Sequence, residues 1–257
     1  MFTPTTSFTR LPHRRDGSFF RWGHAFTLVE ILVVVAILAI LALLAMPTIS
    51  RMLVSGQIAK STSNLKQIHH GIGLYVAENN GNYPVFAADP PGGYLGANAT
   101  WWEGVGRLIY PEIRQRLPSG VSYMFNHPSN PAGYKGTVFR SPAAEPNSSI
   151  TVPSYGMNQM LSTGNFRRYT LRFRGSTTGL IADNNRLASG GSPVHALHST
   201  WSGTQYRLNP RYGASAHHAG DGKATALYLD GHVEVLDAAT CALINSDPSH
   251  KFWGDRL

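Results

Sequence analysis

The stretch from Ala25 to Pro47, AFTLVEILVVVAILAILALLAMP, restricts the fold of this chain more than any other, because every residue from Ile31 to Met46 is apolar. As an α-helix, the stretch from Ala25 to Met46 rises about 33 Å. That length matches a hydrocarbon core of roughly 30 Å. A cleaved signal peptide has a shorter apolar part, about 7 to 15 residues, and ends at a small-x-small site. Neither condition fits this run, so it reads as a membrane span. Arg10, Arg14, Arg15 and Arg21 against Asp16 leave residues 1–25 at net +3. The positive-inside bias then keeps this end cytoplasmic and sends the remainder outward.

Helical periodicity continues past the run. Ile49, Leu53, Ile58, Leu65, Ile68, Ile72 and Val76 recur at spacings that share one helical face, which predicts a single helix from Phe26 to about Asn79. Pro47 lacks an amide donor and crowds the carbonyl four residues back, so a kink is expected there. Gly71 and Gly73 weaken the distal part, and NNGNYP at 79–84 ends it. Within the span one carboxylate, Glu30, stands near the front. An ionisable group at membrane depth costs free energy and calls for a partner. Either Glu30 sits at the interface, snorkelling or protonated, or it awaits a positive charge from another chain.

With its Phe at 26, Glu at 30 and Pro at 47, the segment resembles the N-terminus of type IV pilins and type II secretion pseudopilins. The resemblance implies that a prepilin peptidase cuts between Ala25 and Phe26 and methylates the new amine of Phe26. It also implies that Glu30 pairs with the amine of a neighbouring subunit as helices stack. Phe26, Glu30 and Pro47 are then the assembly residues. The family normally has Gly before the cut, where this chain has Ala25, with Gly23 two residues earlier. The implied partners are other pilin or pseudopilin subunits, an inner-membrane assembly platform with its ATPase, and the lipid bilayer. The implied location is the bacterial inner membrane in a single pass, with the C-terminal domain periplasmic. Three parts follow: a leader at 1–25, a pilin-type helix at 26–80 that is transmembrane over about 26–47, and a globular domain at 81–257.

The net charge of +8 is spread over 257 residues of which 14% are charged, which does not point to nucleic acid. Cys241 is the only cysteine, so an internal disulfide and an all-cysteine metal cage are both excluded. No repeat of 20 to 50 residues is present. Residues 81–160 read as short strands and ordered loops, rich in Gly, Pro, Asn and aromatics. TWWEGVGRLIYPEI (100–113) suits a short helix with Trp102, Leu108 and Ile109 toward the core. Its paired tryptophans fit a carbohydrate platform or, more commonly, core packing. FRSPAAEP and SYGMNQML resemble segments of a pseudopilin-like group with a large, loop-rich C-terminal domain, in which Ser141 takes the place of a cysteine.

RRYTLRFRG (167–175) alternates strictly, with Arg168, Thr170, Arg172 and Arg174 on one side and Tyr169, Leu171 and Phe173 on the other. The arginine face suits phosphate or anionic polysaccharide, or simply guards an edge strand by charge. ATALYLDGHVEVL (224–236) reads as a hairpin turning at Asp230 and Gly231, both expected at positive φ. It also resembles the group's C-terminal signature, His218 followed by Asp230, Gly231 and His232, with a loop two residues longer. Asp221, Asp230 and His232 are metal-capable, and the resemblance adds calcium as a possible ligand, although turn and surface roles account for the same residues. No catalytic motif is present, and Asp183, His195 and Ser215 have no spacing that requires a hydrolase.

The expected fold is α+β, a long N-terminal helix packed on a β-rich, loop-rich domain with an antiparallel sheet. The expected function is that of a non-enzymatic structural subunit of a pseudopilus or pilus-like filament, with no required cofactor. The alternatives are a membrane-anchored glycan-binding module or hydrolase, and a DNA-uptake pilin.

Overall fold

The computed structural model describes residues 27–84, 100–115, 135–142, 153–158, 161, 173–184, 196–197, 208 and 222–254. Helix α1 runs from Leu28 to Glu78, followed by α2 (Trp101–Ile109) and α3 (Pro111–Gln115). Strands β1 (Tyr155–Asn158), β2 (Gly179–Asp183), β3 (Ala196–Leu197), β4 (Lys223–Tyr228) and β5 (Val233–Asp237) precede α4 (Ala238–Ser246) and α5 (Lys251–Gly254). Contacts divide the chain between Met46 and Pro47 into two compact units. The fold is α+β as expected, with a long N-terminal helix against an antiparallel sheet.

In the first unit, the side chains of α1 from Leu28 to Met46 are all exposed. In the second, α1 has a buried stripe of Ser61, Leu65, Ile68, Ile72 and Tyr75, spaced alternately by four and three residues. This is the spacing that keeps one face of a helix on a flat partner. Ile58 and Val76 are half-buried, but Ile49 and Leu53 remain 54% and 64% exposed, so the packed stripe starts later than the periodicity suggests. The helix ends where NNG demands it. Asn80 and Gly81 take positive φ of 55° and 80°, and the Gly81 N–H donates to the Val76 carbonyl at 2.9 Å. That six-to-one bond satisfies a terminal carbonyl. Gly71 is a docking notch rather than a weak point, since a Cβ there would lie 2.7 Å from Ile109 and 2.8 Å from Val105 of α2.

The sheet order is β3-β1-β2-β4-β5. β1, β2, β4 and β5 pair antiparallel in that order, and the short β3 lies parallel to β1. Alternation along β4 separates two cores. Leu227 joins Leu65, Ile68, Ile72, Trp101 and Phe139 on the α1 side. Ala224, Ala226 and Tyr228 face Cys241 and Ile244 of α4 and Phe252 and Trp253 of α5. Each large apolar side chain fully buried this way contributes about 1.5 to 3 kcal/mol.

The tryptophans decide one sequence-level question. Trp101 and Trp102 are 1% and 4% exposed and pack edge-to-face at 5.9 Å, so they build the core and offer no carbohydrate platform. Leu108 and Ile109, expected in the core, are half-buried. The helix breaks at Tyr110 (φ −126°, ψ 62°), because Pro111 excludes the α conformation from the residue before it. At the other end of the chain, the buried Asn158 amide donates to the Gly179 carbonyl at 2.8 Å and the Phe252 carbonyl at 3.1 Å. A Cβ on Gly179 would fall 2.1 Å from the Phe252 ring, so only glycine admits α5 to the sheet. Most of the arginine-alternating segment lies outside the described residues. Phe173 packs half-buried on the α1-side core, and Arg174 is exposed.

Candidate functional site at the front of the N-terminal helix

Thr27 and Glu30 form a reciprocal cap. The Glu30 N–H donates to Thr27 Oγ1 at 3.2 Å, while the Thr27 N–H and hydroxyl both donate to Glu30 Oε2 at 2.8 Å. The Thr27 carbonyl accepts the first intrahelical bond, from Ile31 at 3.3 Å. This is a capping box, in which a Thr-x-x-Glu sequence satisfies donors that the helix itself leaves open. Sequence reasoning read Glu30 as an interfacial or an intermolecular group and not as a cap, although the Thr27-x-x-Glu30 spacing was the available signal. Both donations fall on Oε2, and the carboxylate stands at an exposed helix end where the backbone amides favour negative charge.

Behind this cap, an 18-residue window of α1 has mean hydropathy 3.2 and none of it is buried. Such a surface is incompatible with water and fits lipid or other apolar helices. The helix passes through Pro47, which also marks the boundary between the two units. Ala25 and Phe26 lie outside the described residues.

The second cluster named from sequence is a turn. His218 and Asp221 lie outside the described residues, whereas Asp230, Gly231 and His232 connect β4 to β5. Gly231 has φ 90° and its N–H donates to the Tyr228 carbonyl at 3.0 Å. Positive φ was expected at both Asp230 and Gly231, but among the described non-glycine residues only Asn80 adopts it. The turn has a different reason for its glycine: a Cβ at 231 would lie 2.6 Å from the His69 ring of α1. Asp230 Oδ1 meets His232 Nδ1 at 2.6 Å and accepts the His232 N–H at 3.1 Å. Partial desolvation raises the Asp230 pKa, but the His232 N–H and ring outweigh it and hold the carboxyl below its usual range. The His232 ring stacks on Tyr228 at 4.3 Å, and the Tyr228 hydroxyl donates to Glu234 at 2.8 Å. Among the described residues, no three metal-capable side chains converge.

Asp183 belongs to a buried network joining helix to sheet. Its Oδ2 accepts the Thr225 N–H and hydroxyl, each at 2.7 Å. Ser61 Oγ lies 2.7 Å from Thr225 Oγ1 and 2.8 Å from the Tyr155 hydroxyl. Thr225 has one hydroxyl proton and gives it to Asp183, so Ser61 donates to Thr225 and Tyr155 donates to Ser61. The relay terminates at the carboxylate and polarises each bond. His195 and Ser215 lie outside the described residues. Burial, with Asp183 and Asp237 adding repulsion, pushes the Cys241 thiol up to about 12, so it is an inert core group.

Residues 24–46 match the family model of the prokaryotic N-terminal methylation motif. Comparison with curated proteins and with solved structures returns no match. The chain therefore carries a prepilin-type methylation motif on a long hydrophobic N-terminal helix, the arrangement of a pilin-like subunit of the type IV pilus and type II secretion kind.

Proposed function

We propose that this chain is a structural subunit of a type II secretion pseudopilus or a type IV pilus-like filament. The observation that carries the reading is the methylation motif at the front of a helix whose apolar side chains from Leu28 to Met46 are all exposed, with one carboxylate near its start. In this reading a prepilin peptidase cuts between Ala25 and Phe26 and methylates the Phe26 amine. The leader at 1–25 stays cytoplasmic, the helix at 26–80 spans the inner membrane over about 26–47, and the domain at 81–257 is periplasmic. An assembly platform and its ATPase then transfer the subunit from lipid to filament.

Glu30 has two tasks in this scheme. Its Oε2 caps the helix through Thr27, and its carboxylate receives the methylated amine of an adjacent copy. The Thr27 N–H belongs to the Phe26–Thr27 peptide bond, which the cut leaves intact, so processing adds a cation without removing the cap. A desolvated ion pair fixes register when both groups are satisfied, and leaving one alone is costly. The work is mechanical and needs no catalytic centre. Replacement Glu30→Ala is expected to leave membrane insertion unchanged and to abolish incorporation into filaments. Normal incorporation, or a mature protein whose mass still includes residues 1–25, would overturn the reading.

A further inference from the structure

The two acids of α1, Glu30 and Glu78, stand at its ends, and the first cation after Glu30 is Arg51. A hydrocarbon core of roughly 30 Å takes about 20 helical residues. Counted from Ile31, they end at Ser50, which makes Arg51 the first residue past the core. From Thr48 to Leu53 every side chain of α1 is exposed, including the apolar Ile49, Met52 and Leu53. Burial against the body starts at Val54, which is half-buried, and is first complete at Ser61. Arg51, Met52 and Leu53 are therefore a bare neck, about 4.5 Å of helix, between the core and the body. The headgroup region on one side of a bilayer is about 5 to 7 Å thick. Among the described residues, no ion pair or hydrogen bond engages Arg51.

Ile49, Met52 and Leu53 follow one another by three and one residues and share a helix face, so the apolar surface of the span continues past Pro47. Apolar side chains around a lone cation, next to a membrane span, match the boundary layer, where acyl chains give way to phosphates. A guanidinium fork fits a phosphate, and its long stem reaches headgroup level while the helix surface stays apolar. We propose that Arg51 binds the phosphate of a lipid headgroup on the outer face of the bilayer, with Ile49, Met52 and Leu53 settled in the same layer. The inference rests on the membrane-span reading and moves the outer end of the span from Pro47 to Ser50. It also gives the leader cut a second consequence. Residues 1–25 carry net +3 on the cytoplasmic side, and once they are removed Arg51 is the first cationic side chain in the chain. The electrostatic hold on lipid then passes from the inner leaflet to the outer one.

The test places the full chain in phosphatidylglycerol vesicles with its C-terminal domain outward and reacts introduced cysteines with a membrane-impermeant maleimide. The native Cys241 is buried and stays silent. Leu53→Cys is expected to react several-fold more slowly than Lys60→Cys. Vesicles of digalactosyldiacylglycerol, which has no phosphate, should raise the Leu53→Cys rate about fivefold, the worth of one arginine at an anionic surface. Adding Arg51→Gln should abolish that dependence on lipid, and Arg51→Lys should keep it. Equal rates at residues 53 and 60 in phosphatidylglycerol, or a lipid dependence that persists with Arg51→Gln, would overturn the anchor. Protection that survives the loss of phosphate, or that dissolved inorganic phosphate restores in the galactolipid, would also overturn it. Leu38→Cys separates the two readings. If it is protected while Leu53→Cys is not, the anchor falls and the span stands. If it reacts as fast as Lys60→Cys, both fall.

Discussion

The two halves of α1 follow one helical geometry and opposite rules of burial. From Ile31 to Met46 the side chains are apolar all round and all exposed, whereas from Ser61 to Tyr75 they are sorted into a buried stripe and a polar face. A helix apolar on every side has no preferred rotation and takes its neighbours from its surroundings. One sorted into faces has its neighbours specified by its own chain. The first half is therefore suited to exchanging lipid for other helices, and the second to holding the body in one orientation.

The largest expected effect separates the halves directly. Ile68→Ala should cost the body about 2 to 5 kcal/mol, since a fully buried side chain leaves a cavity. Leu38→Ala should leave body stability unchanged. Both are read from thermal unfolding of the detergent-solubilised chain by near-UV circular dichroism, and equal shifts would break the contrast. A smaller effect tests the relay. Ser61→Ala should cost about 1 to 3 kcal/mol, because Tyr155 and Thr225 lose their shared partner in a buried site. Ser63→Ala, exposed on the same helix, should stay within about 0.5 kcal/mol.

The smallest effect is a pH dependence away from α1. Asp237 caps α4 by accepting the Thr240 N–H at 2.7 Å, and that bond holds its carboxyl below the usual range. A depressed folded-state pKa gives stabilisation that is present above the unfolded value and is lost as pH falls through the folded one. Asp237→Asn keeps a capping oxygen but has no proton to gain. Unfolding midpoints recorded between about pH 2 and pH 6 should therefore fall less steeply on acidification in the variant. Identical slopes would remove Asp237 from the acid response.

What could be read from the sequence was what local period and local sterics impose. The apolar run, the stripe through Leu65, Ile68 and Ile72, the stop at Asn80 and Gly81, and the turn between β4 and β5 all belong to this class. Gly71 and Gly231 were legible as glycines but not as notches, because the groups that require them, Ile109 and His69, are distant in sequence or on another element. Ser61 was not singled out by the helical period, because its hydroxyl meets residues 94 and 164 positions away. At the front of α1, Thr27-x-x-Glu30 was a readable cap, but the membrane setting drew the reading of Glu30 toward an external partner.

The Asn158 amide and the gap above Gly179 bind Phe252 and Trp253, among the last residues described, into the second core. Residues 251–254 therefore cover that side of the sheet, and the second core is incomplete without them. Any change that pulls residues 251–254 away from the sheet would open the second core rather than merely loosen a peripheral turn.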